Sequence, residues 1–153
     1  MHTIDDFSLH PRHGPDGPTG QTSRLLRAGT DTGTELPGYV LDAQYQHDGG
    51  YLFVTSWDCL FEESLTVSVT DPALRIVAQA DISVPYATVW LERHEATAEG
   101  QLLLYCNHGD YRISLMPRLL VEQRAKGEDG FRPLGGLATS AGLWRRLVRF
   151  FAR

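Results

Sequence analysis

Cysteine is scarce in this chain. Cys59 and Cys106 are the only two, too few for a disulfide-stapled scaffold, and no C-x-x-C pair is present to grip a metal. The opening residues Met1-His2-Thr3-Ile4-Asp5-Asp6 lack the charged and apolar segments of a signal peptide. No apolar run approaches the roughly 20 residues that span a bilayer as a helix. Metal-ligand spacing of the H-E-x-x-H kind is missing as well. These absences point to a cytoplasmic protein with reduced thiols, and no cofactor or metal is expected.

What is present is ordinary for a globular protein. The 153 residues are 42% hydrophobic and 22% charged, enough for one domain with a sizeable core. The formal net charge is −5, which argues against a nucleic-acid binder. The charge is unevenly spread. Residues 138–153 carry Arg145, Arg146, Arg149 and Arg153 and no acid. Setting those four aside leaves ten basic residues against 19 acidic ones, a balance of −9 over residues 1–137. An acidic body invites a basic partner, a basic tail an anionic one, although an acidic excess also serves solubility.

Residues 1–35 read as a flexible Gly/Pro-rich arm. The run His10-Pro11-Arg12-His13-Gly14-Pro15-Asp16-Gly17-Pro18 cannot sustain a helix or a strand ladder, because proline removes donors and glycine raises the entropic cost of ordering. A short strand or helical turn near Ser23-Arg24-Leu25-Leu26 rejoins the body. Residues 36–117 carry the fold. Apolar runs are cut at short intervals by turn residues, predicting strands at 39–46, 51–57, 64–70, 74–80, 86–94, 101–106 and 111–116. In the first, Tyr39, Leu41, Ala43 and Tyr45 share one face, while Asp42, Gln44 and Gln46 take the wet one. The second, Tyr51 to Trp57, is apolar almost throughout and reads as central in its sheet. Asp48-Gly49-Gly50 supplies the positive φ angles of a tight hairpin. About seven strands with connections too short for parallel crossovers predict a mainly β, single-domain antiparallel β-sandwich or barrel. In the extension 118–153, Pro117 to Lys126 reads as a short helix. Residues 140–152 read as an amphipathic one, with Leu143, Trp144, Leu147, Phe150 and Phe151 along one side and Arg145, Arg146 and Arg149 on the other.

If the strands run as a simple meander, one end of the sheet gathers Asp58, Cys59, Glu62, Glu63, Asp81, Asn107, His108 and Asp110. That end admits three readings. Trp57, Leu60 and Phe61 among Asp58, Glu62 and Glu63, with His108 and Asp110 alongside, make aromatic anchors ringed by acids, suited to a basic protein surface. Asp58, His108 and Asp110 offer imidazole and carboxylate groups for a small enzyme or a ligand- or metal-binding barrel, and Cys59 beside His108 a nucleophile and base. The plainer reading is that Asp-containing turns exist to make hairpins and that Leu60 and Phe61 plug the end of the sandwich. The expectation that follows is a non-enzymatic acidic protein recognising another protein, such as a toxin-neutralising immunity protein. The helix 140–152 adds a third possibility, a peripheral adaptor on an anionic membrane. Exposed strand edges would allow a homodimer.

Overall fold

The structure, a computed structural model, describes residues 1–11, 22–57 and 63–134. Every regular element among them is a strand: β1 (His2–Thr3), β2 (Phe7–Pro11), β3 (Thr22–Arg27), β4 (Thr30–Pro37), β5 (Val40–His47), β6 (Gly50–Ser56), β7 (Leu65–Thr70), β8 (Ile76–Ile82), β9 (Leu91–Ala96), β10 (Leu102–Cys106), β11 (Gly109–Ser114), β12 (Leu120–Ala125) and β13 (Arg132–Pro133). They form three antiparallel sheets. The central sheet runs β1-β5-β6-β7-β8, a second runs β13-β12-β11-β10-β9, and a third runs β2-β3-β4. Among the described residues no helix is long and apolar enough to cross a membrane.

Strand β6 shows why there are three layers. All seven of its residues are buried. Successive side chains of a strand point to opposite faces, so Leu52 and Val54 enter one core while Tyr51 and Phe53 enter another. The larger core lies between the central and second sheets. Ala43, Tyr45, Leu65, Val67, Val69, Ala80 and Ile82 meet Leu102, Leu104, Cys106, Tyr111, Ile113 and Val121 there. The smaller core lies on the other side of the central sheet, where Phe7, Leu25 and Leu36 of the third sheet cover Tyr51 and Phe53. Phe7 stands edge-on to both rings, 5.1 Å from each centroid. Burying each of these large side chains contributes about 1.5–3 kcal/mol.

Among the described residues, 1–11 and 22–35 therefore depart from the expectation of a flexible arm over residues 1–35, while 12–21 lie outside the described residues. Phe7 and Leu9 pack inward from β2 while Ser8 and His10 are exposed, a period of two that the surrounding prolines and glycines mask. Pro11 and Pro37 end β2 and β4, the two edge strands of the third sheet, where a missing donor costs no ladder bond. Gln44 anchors the layer: its Oε1 accepts from the Phe7 amide at 2.9 Å and its Nε2 donates to the Phe7 carbonyl at 3.0 Å.

Two further expectations are corrected. The segment Pro117 to Lys126 is not a helix. It supplies β12, whose Glu122 and Arg124 pair across the strand with Arg112 and Asp110 of β11. Those cross-strand ion pairs outweigh a helical signal that rested on Pro117 and Gly127 alone. The strand expected at 86–94 begins only at Leu91, because Pro85 and Tyr86 form a turn in which the Ala87 amide donates to the Val84 carbonyl at 3.1 Å. The amphipathic helix at 140–152, with Leu143, Trp144, Arg145, Arg146, Leu147, Arg149, Phe150 and Phe151, lies outside the described residues.

Candidate functional site

Strands β5 to β8 form one meander and β9 to β12 a second, so the chain returns to the same end of the sandwich at residues 38–42, 56–57, 63–65, 82–91 and 106–109. A cleft of about 240 Å³ opens there, lined by Val40, Asp42, Ser56, Glu63, Leu65, Trp90 and Leu91. Each wall has a local cause.

Asp42 enters the cleft through a β-bulge. In the β5–β6 ladder Leu41 faces Thr55 and Ala43 faces Val54, leaving Asp42 as the extra residue. A bulge breaks the alternation of faces. Leu41 consequently packs in the smaller core while Ala43 and Tyr45 lie in the larger one. Asp42 is thereby directed beside Ser56 and Leu65 instead of onto the wet face where simple alternation puts it. Its carboxyl pKa is raised, chiefly by burial, with the charge of Glu63 adding to the rise and a hydrogen bond from Ser56 opposing it. Its Oδ2 is buried without a hydrogen-bond partner.

Trp90 forms the opposite wall and is 53% exposed. Asn107 fixes its backbone. The Trp90 amide donates to Asn107 Oδ1 at 3.1 Å, Asn107 Nδ2 donates to the Thr88 carbonyl at 2.8 Å, and the Asn107 amide donates to the Trp90 carbonyl at 3.4 Å. The Val89 amide donates to the Glu63 carbonyl at 2.8 Å, tying this segment to the start of the β7 approach. Nearby in sequence, Tyr86 is 95% exposed and has φ of 60°, a left-handed conformation that costs a non-glycine residue about 1–3 kcal/mol.

The residues expected to recognise a partner are distributed differently around this end. Glu63 lines the cleft. Trp57 is half-buried and packs edge-on against Tyr39, with centroids 5.8 Å apart. His108 is exposed in the turn between β10 and β11. Asp110 is engaged by Arg124 on the outward face of the second sheet, where Arg124 and Arg112 also flank the Phe131 ring. Asp58, Leu60, Phe61 and Glu62 lie outside the described residues, as does Cys59. Cys106 is fully buried, and burial pushes its thiol up to about 12, far from the range of a nucleophile. Among the described residues no three His, Cys, Asp or Glu side chains gather to hold a metal ion.

Sequence reasoning missed Asp42, Ser56 and Trp90. No local signal marks the bulge, since Leu41, Ala43 and Tyr45 alternate as an uninterrupted strand would. Trp90 could have been found, because Pro85 opposes a strand beginning at residue 86. Comparison of the chain with protein-family models, with curated proteins and with solved structures finds no match.

Proposed function

We propose that this protein is a non-enzymatic binding protein of the cytoplasm, whose acidic end recognises a basic surface on another protein; a toxin-neutralising immunity protein is one form such a molecule takes. The observation that carries the reading is the cleft in which Asp42 and Glu63 stand beside the half-exposed Trp90. Interfaces concentrate their energy in a few aromatic anchors and desolvated polar groups. Val40, Tyr86 and Trp90, three of the large apolar side chains exposed in this structure, belong to segments at this end. The acidic balance of the body would steer a basic partner toward it.

The experiment is affinity capture from the source cell, identification of the bound protein, and measurement of its affinity across a range of salt. Glu63→Lys and Trp90→Ala should each weaken binding at least about tenfold, roughly 1.4 kcal/mol, and Glu63→Lys should also flatten the salt dependence. Unchanged affinity and salt slope in both variants would overturn the reading. The catalytic alternative built on Asp58, His108 and Asp110 gains no support from the geometry, since Arg124 already holds Asp110. The membrane alternative rests wholly on residues 140–152.

A further inference from the structure

Asp42 is the feature that a generic acidic surface does not explain. Asp42 is half-buried at the wall of a cleft, where a carboxylate oxygen shut off from water is costly unless a donor satisfies it. Here one oxygen, Oδ2, has no donor. The charge of Glu63 makes ionisation of Asp42 harder still. Among the described residues the cleft lining holds these two acids and no base, and its remaining walls are Val40, Leu65, Trp90, Leu91 and the small Ser56. An arriving cation would offset the like-charge repulsion between the two acids.

Size and wall chemistry narrow the choice of cation. The cleft volume of about 240 Å³ is below the roughly 300–1,000 Å³ typical of small-molecule sites, and suits a single side chain. A guanidinium is planar, weakly hydrated and rich in donors; it can bridge two carboxylates and stack on an aromatic face, whereas an ammonium is a strongly hydrated point charge. Trp90 offers such a face, and Asn107 holds its backbone in place from both sides. Resting on the binding function proposed above, we infer that the cleft receives one arginine side chain of the partner, with Asp42 and Glu63 as acceptors and Trp90 as the stacking wall.

The inference is tested on the full chain, labelled with ¹⁵N, by titration with the peptide acetyl-Gly-Arg-Gly-amide and its lysine and citrulline counterparts. The arginine peptide should give saturable shifts centred on the Trp90 indole and the Val40 and Leu91 amides. The lysine peptide should bind at least about fivefold more weakly, and citrulline, which keeps the shape without the charge, should not saturate. Asp42→Asn should weaken the arginine peptide at least about tenfold. Trp90→Ala, at a half-exposed position that does not threaten folding, should also weaken it. Equal binding of citrulline, or no saturable shift at Trp90, overturns the inference. Measuring the captured partner on the same variants separates the two claims. If Glu63→Lys weakens the partner while Asp42→Asn does not, and arginine peptides fail to bind, the acidic-end reading stands and the arginine cleft falls. If neither substitution affects the partner, both fall.

Discussion

The single residues that matter most here are those whose environment differs from what their type suggests. Gly50 has φ of 140°, and a Cβ at that position would sit 2.0 Å from the Thr70 carbonyl oxygen. Gly50→Ala should therefore cost at least about 2 kcal/mol through overpacking and backbone strain, read by urea unfolding. His94 of β9 reaches into the sandwich, its Nδ1 2.5 Å from the Tyr45 hydroxyl and its ring edge-on to that of Tyr45. Burial lowers its pKa, and burial lowers that of His47 as well. The unfolded chain then binds more protons than the folded one just below the ordinary histidine value of about 6.5. Stability is fully present above that value and should be lost as pH falls toward the lowered folded pKa. Denaturant midpoints at pH 7.5 and 5.5 would show the drop, and His94→Gln should shrink it without abolishing the part due to His47. Gly50 was legible as a turn residue from Asp48-Gly49-Gly50. The pairing of Tyr45 with His94 was not, because it joins β5 to β9 across two sheets.

At the scale of elements, the third sheet is the clearest case of context overriding composition. Its strands contribute Phe7, Leu25 and Leu36 to a core that would otherwise leave Tyr51 and Phe53 on an open face. Phe7→Ala should destabilise the protein by about 3–5 kcal/mol, measurable by urea unfolding. A loss under 1 kcal/mol would mean that β2 is a dispensable cover, not a layer of the fold. Removing residues 1–37 should expose that aromatic face and give an aggregating product, seen by light scattering. The strands of the two meanders were legible because alternation and turn residues agreed, as at Leu65, Val67 and Val69 before Asp71-Pro72. Strand β12 was not, since its pattern of Val121 and Gln123 inside with Glu122 and Arg124 outside contains too few apolar residues to declare a period.

For the whole molecule, the uneven charge sets the expectation for binding. With an acidic body, association with a basic partner should slow as ionic strength rises, mainly through the on-rate. Stopped-flow measurements at low and high salt would check this. A chain ending at Leu137 should retain the partner if the acidic end is the binding site. Loss of the partner on that truncation would move recognition to residues 138–153.

The sequence alone determined the β class and the antiparallel hairpins, because period-two patterning and turn chemistry act over a few residues. Tertiary structure decided that β6 is buried on both faces, that the N-terminal strands close a third layer, and that Asp42 enters a cleft with Glu63 and Trp90. Each of these depends on which distant strand lies opposite. For Asp42 the decisive element is one extra residue in the β5–β6 ladder, a property of the pairing of two strands and not of either sequence by itself.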